Sequence, residues 1–120
     1  MKYDKKNIFA KILRGELPCK KIYENKYVLS FYDTNPQKKL HILVIPKGEY
    51  IDLDHFNEEA SEKEIVELNK SITYIVRMLK ISNREMGYRV LSNIGQDGGQ
   101  EVLHFHYHIF GGEKIGKMVV

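Results

Sequence analysis

Leu103-His104-Phe105-His106-Tyr107-His108-Ile109-Phe110 sets three histidines two residues apart among large apolar side chains. Successive side chains of a β-strand point to opposite faces, so a strand over 103–110 places His104, His106 and His108 on one face. Leu103, Phe105, Tyr107 and Ile109 then form the face that packs on a core. Three adjacent, partly desolvated imidazoles are costly to protonate together near neutral pH. The chain has five histidines in all and commits three of them to this strand, which marks it as the place for chemistry.

A single histidine on a sheet is ordinarily a satisfied surface or core residue, and a polar strand face is the bland account of all three. The stronger rival is a metal site, because neutral imidazole is the commonest metal ligand. Strand geometry works against three ligands for one ion, since Cα atoms two apart are separated by roughly 6.6 Å and the outer pair by roughly 13 Å. A zinc ion shared by two of them needs a further ligand such as His41, His55 or a carboxylate. No H-E-x-x-H and no paired cysteines support that case. The expectation is therefore a site with no metal and no cofactor.

The stretch before the strand, Asn93-Ile94-Gly95-Gln96-Asp97-Gly98-Gly99-Gln100, has three glycines and a D-G-G turn signal. Such a loop is most often only a turn. Glycines also let backbone N–H groups approach an anion, and Asn and Gln side chains add neutral donors. Directly ahead of three imidazoles it becomes a candidate phosphate cradle.

The 120 residues fit a single domain, residues 1–120, with one core. The lone Cys19 excludes an intrachain disulfide and fits a reducing, cytoplasmic setting. No apolar run reaches membrane-span length, and Met1-Lys2-Tyr3-Asp4-Lys5-Lys6-Asn7 lacks the apolar stretch of a signal peptide. The net charge of +3 is mild and the lysines are scattered, so neither nucleic acid nor membrane is expected as a partner.

Apolar spacing predicts a short amphipathic helix over Asn7 to Leu13, stopped by Gly15 and Pro18. Strands are expected at Lys21 to Glu24 and Tyr27 to Tyr32, in a hairpin around Asn25-Lys26, and at Leu40 to Ile45 before Pro46. Ser61-x-x-Glu64 is a capping box ahead of Ile65, Leu68, Ile72, Ile75, Val76 and Leu79, giving one long helix to about Lys80. Ser82 to Gly87 reads as a turn, and Gly87 to Ser92 and Leu103 to Phe110 as the last strands. Five strands, one long helix and one short helix make an α+β domain with a mostly antiparallel sheet.

The sequence resembles the histidine-triad (HIT) family, Hint branch, whose signature is His-φ-His-φ-His-φ-φ with φ apolar. H-F-H-Y-H-I-F at 104–110 fits every position, and Gly111-Gly112 is similar to the Hint branch rather than to the Pro-Arg of diadenosine-polyphosphate hydrolases. Ile8 to Pro18, Phe31 to Gln37, His41 to Lys47 and Asn93 to Gln100 also resemble Hint blocks, in the family's order. The resemblance implies a HIT-like fold, a homodimer with a continuous sheet, and hydrolysis at the α-phosphate of purine nucleoside 5′-phosphoramidates.

By the same resemblance His106 is the nucleophile that forms a nucleotidyl-histidine, and His108 contacts the phosphate and assists the leaving group. His104 and His41 support their orientation, and Asp33 bonds the ribose hydroxyls. Ile8, Phe9, Ile12, Phe31 and Thr34 match the base pocket, although core packing explains the apolar ones nearly as well. Asn93, Gly99 and Glu101 fall on the phosphate side.

Three features depart from the family pattern. Many bacterial relatives carry a cysteine-containing zinc site near the N-terminus, and Asn7-Ile8-Phe9-Ala10-Lys11 has no cysteine. Glu101 stands where Hint proteins commonly have serine, and an ionised carboxylate cannot donate to a phosphate. The tail, Lys117-Met118-Val119-Val120, lacks the aromatic and prolines of the Hint terminus. The alternatives to a phosphoramidase are a nucleotide-binding sensor or scaffold and a dinucleoside-polyphosphate hydrolase.

Overall fold

Two capping interactions start the helices that bracket the sheet. The Asn7 side chain accepts the Ala10 N–H at the start of α1, Ile8–Leu13. Ser61 and Glu64 form the reciprocal capping box that begins α3, Glu62–Met78. The computed structural model describes residues 1–82 and 84–118; Asn83 within the expected turn, and Val119 and Val120 of the tail, lie outside them. The strands are β1 (Lys21–Glu24), β2 (Val28–Tyr32), β3 (Leu40–Pro46), β4 (Arg89–Leu91) and β5 (Tyr107–Gly111). They form one sheet in the order β1-β2-β3-β5-β4, every neighbouring pair antiparallel.

The β1–β2 turn is built by Asn25, whose Oδ1 accepts the N–H groups of Tyr27 at 2.8 Å and Val28 at 2.9 Å. Alternation along β2 and β3 then sorts side chains onto two faces. Val28, Ile42 and Val44 join Phe56, Leu68, Ile75, Val76, Phe105 and Ile109 in the core beneath α3. Leu29, Phe31, Leu43 and Ile45 meet Phe9 of α1 on the other face. Both faces of β3 are covered, so its Leu-His-Ile-Leu-Val-Ile-Pro run is apolar almost throughout. Full burial of Phe56 and Ile75 contributes about 1.5–3 kcal/mol each.

Two expectations need correction. Among the described residues there are two short helices, not one: α2 spans Leu53–Glu59, with Asp52 accepting the His55 N–H as its N-cap. Only Phe56 of α2 is buried, so its sequence carries no apolar stripe to reveal a helix. The last strand begins at Tyr107 rather than at Leu103. Extending the β3–β5 register, in which Val44 pairs with Tyr107, would set Pro46 opposite Phe105. Proline has no N–H to give a ladder, and the Phe105 N–H instead donates to Tyr50 O at 2.7 Å. Among the described residues, no helix is long and apolar enough to cross a membrane.

Candidate active site

The facing expected of the histidines survives the shortened strand. Phe105, Tyr107 and Ile109 pack into the α3-side core. His104 and His106 both meet the Phe9 ring edge-on, with centroids 6.2 and 5.0 Å away, and so lie on the α1 side. His108 follows them, its ring centroid 4.9 Å from that of His106. A cavity of about 470 Å³ opens there, lined by Phe9, Asp33, His41, Asn93, Gly99, Glu101, His106 and His108 together with Asn35, Gln37, Leu43, Leu91, Val102 and Phe110.

Hydrogen bonds assign the protons on the imidazoles. The Nδ1–H of His106 donates to His104 O at 2.7 Å, which leaves Nε2 with its lone pair. The Gln37 N–H donates to His41 Nδ1 at 3.1 Å, so the His41 proton sits on Nε2. From there it is donated to His108 Nδ1 at 2.8 Å, and the His108 proton is consequently carried on Nε2. A bare ring nitrogen on His106 and an N–H on His108 thus lie in the same cavity. Burial holds His108 down at about 4, reinforced by the neighbouring His106 and His41. Burial also lowers His106, partly offset by its bond to the His104 carbonyl, and lowers His41 against the opposing pull of Asp33. The group is neutral at pH 7.

Asp33 borders this group. Its Oδ1 accepts the Asn35 N–H at 2.8 Å, and its Oδ2 lies 3.4 Å from His41 Nε2. Asp33, His41 and His108 bring ligand atoms within 4.8 Å of one another, close enough to consider a metal. The proton pattern opposes it. Ligation through His41 Nε2 moves that proton to Nδ1, where it would face the N–H of Gln37 donor to donor. His55 lies apart from the cavity lining, its Nδ1 accepting the Ile51 N–H at 2.9 Å.

The glycine loop is a folded unit before it is a cradle. Gly99 takes φ +77°, which favours glycine, and its N–H is already spent on Gln96 O at 3.1 Å. A Cβ on Gly98 would collide with Ile94 O, so the turn closes only around glycine. Gln100 ties it down: its Oε1 accepts the Gly95 N–H, and its Nε2 donates to Ile51 O at 2.7 Å and Val102 O at 3.0 Å. The expected glycine amides are therefore committed internally at Gly95 and Gly99, and the cavity lining draws donors from side chains, among them Asn93, Asn35 and His108.

Of the sequence-derived site residues, the structure gathers His41, His106, His108, Asp33, Asn93, Gly99, Glu101 and Phe9 around one cavity. His104 lies behind it, 0% exposed. Ile12 and Phe31 pack with Phe9 in the core cluster and do not line the cavity; Ile8 is 47% exposed and Thr34 is exposed. Leu43 was within reach of sequence reasoning, since it shares strand parity with His41. Phe110 was too, since it shares parity with His108; Asn35, Gln37, Leu91 and Val102 needed the fold. Phe110 lies parallel to His108, with an interplanar angle of 2°.

The chain matches the HIT domain family over residues 14–115. It is 50% identical over 117 residues to a 13.2 kDa HIT-like protein of Azospirillum brasilense, covering 98% of this chain and 94% of that one. It is 37% identical over 113 residues to the purine nucleoside phosphoramidase of Escherichia coli K12, covering 93% of this chain and 92% of the enzyme. Among solved structures, a HIT family hydrolase from Clostridium thermocellum superposes with a TM-score of 0.86 at 32% identity, covering 98% of this chain and 99% of that one. A histidine triad protein from Clostridium difficile gives 0.82 at 39% identity, covering 98% of each chain. The chain belongs to the HIT family.

Proposed function

We propose that the protein is a hydrolase of purine nucleoside 5′-phosphoramidates that works through a covalent nucleotidyl-His106. The supporting observation is the opposed proton assignment of two neighbouring imidazoles, His106 bare at Nε2 and His108 protonated there. In the first step His106 Nε2 attacks the α-phosphorus of an amidate protonated at nitrogen, the P–N bond breaks, and the amine leaves neutral while the Nε2–H of His108 donates to a phosphate oxygen. In the second, water displaces His106 from phosphorus, and the proton it sheds leaves with the released amine, so every imidazole ends neutral as it began. His41 serves as the support that keeps His108 in the right tautomer.

The cavity's charge favours this reading over a dinucleoside-polyphosphate hydrolase. Its lining includes Asp33 and Glu101 and no lysine or arginine, so it offers no cation to a polyphosphate chain. Glu101 disfavours an anionic leaving group and tolerates an amine. Asp33 receives the ribose hydroxyls, and Phe9, with Ile12 and Phe31 packed behind it, forms the wall for the purine. The resemblance to the family and the 37% identity to a phosphoramidase point the same way. A homodimer belongs to the same reading: β4 is an edge strand, and Tyr88 and Val90 at it and Tyr74 and Met78 on α3 are exposed large hydrophobics.

A substrate panel tests the proposal. AMP-amidate, GMP-amidate, acyl-AMP and diadenosine polyphosphates are incubated with purified protein, and the amidates are expected to turn over fastest. Tight AMP binding without turnover of any of them would replace the enzyme with a nucleotide sensor.

A further inference from the structure

We propose that Tyr3 is a positioning residue for His106, acting through His104. His104 is 0% exposed, so both of its ring nitrogens need partners inside the protein. Its Nε2–H donates to Pro46 O at 2.8 Å. That leaves Nδ1 bare, and the Tyr3 hydroxyl donates to it at 2.6 Å, with the two rings edge-to-face at 5.6 Å. The carbonyl of this same residue 104 holds the Nδ1–H of His106. Whatever fixes residue 104 therefore fixes which nitrogen of His106 faces the cavity.

The sheet does not do that fixing, because the β5 ladder begins only at Tyr107. Upstream of it the chain hangs on individual bonds: Phe105 N–H to Tyr50 O, Ser92 hydroxyl to His106 O at 2.7 Å, and the two bonds of the His104 ring. Tyr3 can supply one of them because the residues after it are held. Asp4 O accepts the Asn7 side-chain amide at 2.8 Å, and Lys5 O accepts Arg14 at 2.7 Å. Tyr3 also precedes the stretch that matches the family, residues 14–115, so the triad's signature does not include it.

Loss of the hydroxyl strands a buried lone pair on His104 Nδ1. If the proton shifts to satisfy it, Nε2 then faces Pro46 O lone pair to lone pair. Relief comes from turning the ring or admitting water, and either moves the carbonyl on which His106 depends. Tyr3 does not line the cavity, so nucleotide affinity should be spared.

Tyr3→Phe keeps the ring and removes only the O–H. We expect kcat on an AMP-amidate to fall about tenfold or more, as misplacement of a reacting group does, with AMP affinity within about twofold. Tyr3→Ala should fall further and be restored by added phenol but not by toluene, which has the same ring without the hydroxyl. The imidazole 15N shifts of Tyr3→Phe should show His104 or His106 losing its single tautomer. The kinetic arms rest on the proposed activity, whereas the NMR arm does not; no turnover by the unaltered protein would sink the proposed function and leave the tautomer measurement standing. A Tyr3→Phe variant with unchanged kcat and 15N shifts, or equal rescue by toluene, overturns the role of the hydroxyl.

Discussion

His41 Nε2 and His108 Nδ1 are 2.8 Å apart, and the first donates its proton to the second because a backbone amide occupies the far side of the His41 ring. The proton that His108 presents to the cavity is thus set by Gln37 N–H, two rings away. His41→Phe removes that order while keeping an aromatic ring against Phe110. It should lower kcat by about ten- to a hundredfold with little change in AMP affinity, measured by steady-state kinetics and calorimetry.

His106→Ala should abolish the covalent route. Turnover is expected to fall by several orders of magnitude while the fold and AMP binding persist, because no core contact larger than one imidazole is lost. Intact-mass analysis of the quenched reaction should find a nucleotidyl adduct on the unaltered protein and none on the variant. An adduct mapped to His104 or His108 would reassign the nucleophile.

Acid should destabilise the protein through its buried imidazoles. Burial holds His104 at about 4 against an ordinary 6.5. As pH falls the unfolded chain therefore takes up the proton first. Stability is full above about pH 6.5 and drains away towards pH 4, by about 3 kcal/mol for His104 alone. Urea midpoints measured at pH 7, 6, 5 and 4 should fall steadily through that window, and a flat profile between 6.5 and 4 would contradict it.

Asp33 should discriminate ribose from deoxyribose. Its Oδ1 is held by the Asn35 N–H, which orients the carboxylate, and an acceptor left unpaired in a closed pocket costs about 1–3 kcal/mol. Ribonucleotide amidates are expected to exceed 2′-deoxy analogues in kcat/KM by roughly tenfold, and Asp33→Ala should erase the gap. Because Asp33 also lies 3.4 Å from His41, that variant should lose some kcat on both substrates.

Catalysis should survive removal of divalent cations. The His41 tautomer is wrong for ligation at Nε2, so dialysis against a strong chelator should leave kcat unchanged. Activity lost to the chelator and restored by zinc would mean that the Gln37–His41 bond gives way to a metal.

What the sequence disclosed and what it withheld follow from the range of the physics involved. Period-two alternation read the facing of His104, His106 and His108 correctly, and the Ser61–Glu64 capping box marked the start of α3 within a residue. Both are local signals. The true start of β5 depends on Pro46, some sixty residues earlier in the chain, and α2 buries a single side chain, so neither shows in a window of neighbouring residues. His41 was legible only through resemblance, since nothing near it in the chain announces that it meets His108. Tyr3 was invisible for the same reason, its partner lying 101 positions away.

Pro46 ends the β3–β5 ladder by lacking a donor, and its carbonyl then becomes the acceptor for His104. A designer transplanting H-F-H-Y-H-I-F onto an ordinary antiparallel hairpin would carry over the alternation and lose the site. In a continuous ladder the Phe105 amide would bond to the neighbouring strand, and the imidazole at 104 would find no free carbonyl beside it. The portable unit is a discontinuous one, Pro46 to Tyr50 together with His104 to His108, and the proline is as much a part of it as the histidines.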